Sequence, residues 1–194
     1  MSQEKSEAQL AYEEKYETRP GRYVCKIDSV EVSEVNPWGY SHFMINMTSE
    51  NGKSIRAKLE RTREKDHEKS KEIKLKIIDE FLSNSGIDTK LKKGREAIDD
   101  LVGRSIKCKF RTVKYVGKMK DGKPIERDYL GLYYTSGVDD EMTPLDEVKA
   151  VLELNQYDKD KLAERLAEWN NNGGSPSSAP AQQASAKQED DLPF

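Results

Sequence analysis

Between Gly21 and Glu34 the apolar residues change sides. Tyr23, Cys25 and Ile27 alternate on one parity, and Val30 and Val32 continue on the other. Side chains along a strand alternate faces with a period of two, so a change of parity inside one extended run needs one extra residue. A β-bulge supplies that residue and bends the strand. A long, bent first strand is what a small closed barrel needs.

Further strands come after it. Asn36-Pro37-Trp38-Gly39 has turn composition. Tyr40 to Met47 alternates, with Phe43, Ile45 and Met47 on one face and Tyr40, His42 and Met44 on the other. Ser49-Glu50-Asn51-Gly52 carries the Asn-Gly hairpin signal, and Ser54 to Arg61 returns with Ile55, Ala57 and Leu59 inside and Arg56 and Lys58 outside. From Arg63 to Leu82 the period becomes helical, through Ile73, Ile77, Ile78, Phe81 and Leu82, with Gly86 as a stop. The charged first half, Arg63 to Lys71, is expected to project into solvent. Ser105 to Val116 predicts a fourth strand, with Ile106, Cys108 and Phe110 inside and Lys107, Lys109 and Arg111 outside. An Asp121-Gly122 turn leads into a fifth, Ile125 to Tyr134, with Leu130 and Leu132 opposite Tyr129, Gly131 and Tyr133.

Thr143-Pro144 offers an N-cap and a first-turn proline. Leu145, Val148, Val151, Leu152 and Leu154 then predict one helix, and Asp158 is expected to cap a second that ends near Trp169 and carries Leu162 and Leu166. The pair reads as a helical hairpin needing a partner surface, either the barrel or a second copy in a homodimer. Residues 171–188 have no apolar period and read as a disordered linker. The organisation predicted is an acidic segment over 1–17, a β domain over 18–138, a helical hairpin over 139–170, the linker, and an acidic tip over 189–194. Five strands with a helix inserted between the third and fourth match the layout of an OB-fold, a five-stranded Greek-key barrel. The fold class expected is therefore mainly β with added helices.

Charge is segregated along the chain. The net charge is only -3, but residues 18–138 carry 26 basic and 18 acidic side chains, while residues 139–170 carry 4 and 10. The middle can attract a polyanion while the acidic flanks compete with it. Hydrophobic residues make up 35% and charged residues 36%, against ~45–50% and ~25% in ordinary globular chains, so a modest core with much solvated surface is expected. No apolar run approaches the ~18–20 residues of a membrane span. The acidic, polar start is not a secretory signal, which predicts a soluble intracellular protein. Cys25 and Cys108 each sit in an alternating apolar pattern and read as reduced, buried thiols. With no CxxC and only His42 and His67 as imidazoles, no metal or other cofactor is expected. No nucleophile set, phosphate loop or suitably spaced acid pair points to an enzyme; Asp99-Asp100 and Asp139-Asp140 are adjacent and cannot share one face.

The outward residues do point to a ligand. Arg56, Lys58, Lys107, Lys109 and Arg111 lie on strand exteriors, and Lys114, Lys118, Lys120 and Lys123 extend the basic run into the second hairpin. Trp38, Tyr40, His42, Tyr115, Tyr129, Tyr133 and Tyr134 are interleaved with them. Cations that track phosphates and rings that stack on bases are the two requirements of single-strand binding. Trp38, Tyr40, His42, Arg56, Lys58, Lys107, Lys109, Arg111, Lys114, Tyr115, Lys118 and Tyr129 are the expected DNA contacts; His67 is expected to be merely solvated.

The last six residues, Glu189-Asp190-Asp191-Leu192-Pro193-Phe194, resemble the acidic tip of bacterial single-stranded-DNA-binding proteins, which typically ends Asp-Asp-Asp-Ile-Pro-Phe. Here the first acid is Glu and the Ile is Leu. The resemblance implies that Phe194 anchors in a partner enzyme through its ring and terminal carboxylate, that Pro193 stiffens the approach, that Asp190 and Asp191 steer toward a basic rim, and that Leu192 belongs to the same docking tip. The body, with its inserted helix, is closer in organisation to phage-encoded single-stranded-DNA-binding proteins. The resemblance further implies a non-enzymatic protein of the bacterial or phage-infected cytoplasm. Such a protein protects single-stranded DNA in replication, recombination or repair and recruits a polymerase, helicase, primase or nuclease through its tip. The competing expectation is an interaction adaptor whose barrel binds protein and not DNA.

Overall fold

A computed structural model of the chain describes residues 6–36, 39–92, 94–119, 121–146 and 149–172. The protein is mainly β, with a six-stranded open sheet and four helices among those residues. In chain order the elements are α1 (Glu7–Lys15), β1 (Gly21–Val32), β2 (His42–Ser49), β3 (Ser54–Glu60), α2 (Glu68–Asn84), α3 (Gly94–Asp99), β4 (Ser105–Lys118), β5 (Pro124–Ser136), β6 (Val151–Leu152) and α4 (Gln156–Asn171). The strand order is β3-β2-β1-β4-β5, with β6 paired to β4. Among the described residues two compact units share the chain, one from residues 6–111 and 130–150, the other from 112–129 and 151–172.

The first unit is organised by β1, which pairs antiparallel with β2 on one side and β4 on the other. The parity switch read from the sequence is a register shift between Ile27 and Ser29, with Asp28 the extra residue. Before it Cys25 and Ile27 are fully buried; after it Val30 turns toward the same core. The inner rows of β3 and β4 are as expected, with Ile55, Ala57 and Leu59 buried on one and Ile106, Cys108 and Phe110 on the other. Gly52 closes the β2–β3 turn at φ 75, a left-handed conformation that a side chain there would strain. Phe81 and Leu82 of α2 and Ile98 of α3 complete the core. Cys25 and Cys108 are unpaired and buried, and the contact with Cys25 together with burial pushes the Cys108 thiol well up, so both behave as small hydrophobes.

The acidic N-terminal segment contains α1, started by a capping box in which Ser6 Oγ accepts from the Gln9 backbone and Gln9 Oε1 accepts from the Ser6 backbone. Several expectations are corrected. The run Arg63 to Lys71 is solvated only in part: Glu64, Lys65, His67, Glu68 and Lys69 are exposed. Asp66 is buried, accepting from Arg63 Nε at 2.6 Å and from Lys74 Nζ at 2.7 Å, and α2 begins only after His67, its N-cap. The largest correction concerns the helical pair. The described residues between Thr143 and Leu154 form no α-helix; Val151 and Leu152 instead pair in parallel with Thr112 and Val113. β1 leaves β4 at Phe110, and the backbone groups of β4 beyond that point need partners. The backbone of Val151 and Leu152 pairs with that stretch. Of the predicted pair, the described residues form only α4, capped by Asn155, whose Oδ1 accepts from the Asp158 backbone at 2.8 Å. Leu162, Leu166 and Trp169 on it are half-buried. Trp38, Lys120 and the linker and tip from residue 173 onward lie outside the described residues.

Candidate functional site

In the first unit the hairpin of β2 and β3 sets three of the expected contacts side by side. Its inward row is apolar and fixed in the core, which forces the alternate residues outward. Register then decides who meets whom: His42 lies opposite Glu60, Met44 opposite Lys58, and Asn46 opposite Arg56. Arg56 and Lys58 are exposed and His42 half-buried. Burial first, and the Lys58 charge second, hold the His42 imidazole below its usual value, so it is neutral near pH 7. Burial, then the neighbouring Arg56, depresses the Lys58 ammonium. Two cations on alternate residues of one strand are about 7 Å apart, close to the spacing of successive phosphates on an extended single strand.

Tyr40 stands at the head of this face. The Arg63 guanidinium covers its ring at 3.5 Å, and Lys74 lies 5.7 Å from the same centroid. Lys74 also bridges Glu60 at 2.8 Å and Asp66 at 2.7 Å. Between α2 and β3 a cleft of about 480 Å³ is lined by Glu60, His67, Lys69, Ser70, Ile73, Lys74 and Ile77. Periodicity alone did not reveal Arg63 or Lys74 here: Arg63 opens the run that reads as a solvated charged stretch, and Lys74 falls among the polar positions of the helical pattern after it.

The outer face of β4 is different. Lys107 Nζ donates to the Asp140 carbonyl at 2.7 Å and Lys109 Nζ to Thr143 Oγ1 at 3.0 Å. Lys109 also lies 5.6 Å from the Tyr134 ring, and Arg111 lies 4.7 Å from the Tyr133 ring. The segment after β5, anchored by the buried Met142 and by Arg22 donating to its carbonyl, thus occupies the lysines that the sequence placed outward.

The second unit has its own group. Tyr115 and Tyr129 meet edge to face, with centroids 5.8 Å apart. Lys114 is held by Glu126 at 3.2 Å and Glu153 at 2.9 Å, and Lys118 is exposed at the end of β4. Arg127, not anticipated from sequence, lies across Gly117: a Cβ at Gly117 would stand 2.8 Å from Arg127 Cδ. Among the described residues no group of three or more His, Cys, Asp or Glu is placed to hold a metal ion, and no helix is long and apolar enough to cross a membrane.

No protein-family model matches the chain, and no curated protein is found to match it.

Proposed function

We propose that the chain binds single-stranded DNA without sequence preference across the outer face of β2 and β3, and that residues 189–194 recruit enzymes of replication, recombination or repair. The observation that carries this reading is the exposed pair Arg56 and Lys58 on β3, beside the neutral His42 and headed by the Arg63–Tyr40 stack. The pair supplies phosphate neutralisation. The ring and imidazole supply sequence-tolerant stacking surfaces, worth ~1–3 kcal/mol per base. The strand path β3-β2-β1-β4-β5, centred on a bulged β1 that serves both neighbours, favours an OB-type barrel, and the face of strands two and three is where that fold takes oligonucleotides. Because Arg56 and Lys58 are exposed while Lys107 and Lys109 are half-buried, the first contact in this reading is on β3 and not on β4.

The test is fluorescence anisotropy with labelled mixed-sequence oligonucleotides across a sodium chloride series. Affinity is expected to fall steeply with salt, with log K losing about 0.7 per log unit of salt for each phosphate contacted. The double variant R56A/K58A is expected to bind more weakly and to flatten that slope by roughly 1.4. Absence of binding at low salt would overturn the reading and leave the protein-binding adaptor in its place.

A further inference from the structure

We infer that Asn46 is a positioning residue of this face, holding the Arg56 guanidinium in a fixed orientation, and that the β1 bulge at Asp28 supplies the groups that hold Asn46. The inference rests on the single-strand reading of the β2–β3 face and deepens it.

Asn46 is the middle of a relay across three strands. On one side it faces Arg56 of β3 and on the other Ser29 of β1. Its Oδ1 accepts from Arg56 Nε at 2.7 Å. Its Nδ2 donates to Ser29 Oγ at 2.9 Å and to Glu31 Oε1 at 3.0 Å. A primary amide has two N–H donors on one side and a carbonyl on the other. With both donors committed to acceptors on β1, the amide cannot turn over, and its oxygen stays aimed at Arg56.

The bulge makes this possible. Upstream of it the inward residues of β1 have odd numbers, ending with Cys25 and Ile27. Downstream the inward residue is Val30, so Ser29 and Glu31 face outward beside Asn46. Were Asp28 part of the regular alternation and not bulged out of it, Ser29 and Glu31 would share the inward parity of Cys25 and Ile27. Asp28 itself is tied outside the sheet, its Oδ2 accepting from Thr48 Oγ1 at 2.7 Å. Bulges that re-aim side chains are a recurring device beside functional sites.

A guanidinium grips phosphate through its plane, often in bidentate fashion. Fixing Nε fixes that plane, so less side-chain freedom is lost when the polyanion arrives. Lysine at the same place would offer no plane to fix.

The experiment titrates the full chain with a labelled mixed-sequence oligonucleotide over a salt series, for wild type, N46A, R56A, N46A/R56A and S29A, each first checked for an unchanged circular dichroism spectrum. N46A is expected to weaken binding about two- to tenfold, the equivalent of one side chain's ordering. R56A should flatten the salt slope by about 0.7 and N46A by no more than that. The decisive readout is the double variant, which should bind like R56A alone, because Asn46 acts only through Arg56. S29A, which removes one acceptor and leaves the amide in place, should show the same dependence on Arg56 at smaller size and keeps the test open if N46A does not fold. Losses for N46A and R56A that add, or wild-type binding by N46A where R56A is weak, would overturn the role of Asn46 while leaving the binding face intact. Failure of the wild type to bind at low salt would remove the face itself, and the role of Asn46 with it.

Discussion

Asp66 sits in a stretch where nearly every neighbour is charged, and yet its side chain is only 2% exposed. Its carboxylate accepts from the Arg63 backbone and guanidinium and from Lys74. The Lys74 hydrogen bond leads in holding its pKa well below the usual carboxylate value of 3.8, against the opposing effect of burial. A depressed carboxylate pKa contributes stability that is fully present above the unfolded value and is lost as pH falls through the folded one. The wild-type urea midpoint should therefore hold steady down to about pH 4 and drop below it. Asp66→Asn should be less stable at neutral pH, because Arg63 and Lys74 lose their common partner, and it should lack that part of the acid drop. Parallel midpoint curves for the two proteins would remove Asp66 from the acid response. Nothing in the local pattern marks this residue. Charge runs read as solvated because exposed charges are cheap, and only the return of α2 beside the loop brings Lys74, eight positions on, into reach. The same limit hid Asn46, whose partners are fixed by strand register and not by sequence spacing.

Strands were legible where one face is buried, since a slip of one residue would turn the whole apolar row outward. That is why the inner rows of β3 and β4, and even the bulge in β1, could be read as alternation alone. β6 was not legible. Leu145, Val148, Val151 and Leu152 fit a helical stripe as well as anything else, and the partner that decides the matter, the Thr112–Val113 stretch of β4, is far away in sequence. Non-local backbone pairing outweighed local period there, as tertiary context commonly does over propensity. The bulge gives the sharpest test at this scale. Deleting Asp28 removes the extra residue, and strict alternation then keeps Cys25, Ile27 and Val30 inward and Ser29 and Glu31 outward. The cost should be little more than the hydrogen bond that Thr48 Oγ1 donates to Asp28, about 0.5–1.5 kcal/mol. Chemical denaturation measures it. A deletion that cost several kcal/mol would show that the bulge does more for the fold than change the parity of β1.

Over the whole molecule the proposed reading requires that a chain of net charge -3 hold a polyanion. The answer proposed is segregation: the excess of basic side chains falls in residues 18–138, and the acids are gathered before and after it. The chain therefore carries its own competitors for the cations that DNA would use. One is visible in the fold, where Lys107 and Lys109 are bonded to the acidic segment that succeeds β5. A second is the tip, with Glu189, Asp190 and Asp191. Removal of residues 189–194 should then raise affinity for single-stranded oligonucleotides at low salt. The gain should shrink as the Debye length falls from ~10 Å at 0.1 M to ~3 Å at 1 M, because it arises from long-range repulsion and competition and not from any base contact. A difference that persisted unchanged into high salt would assign the tip a direct, short-range contact with the binding face. Equal affinities at low salt would show that the tip does not compete there, and would leave partner recruitment as its only proposed role.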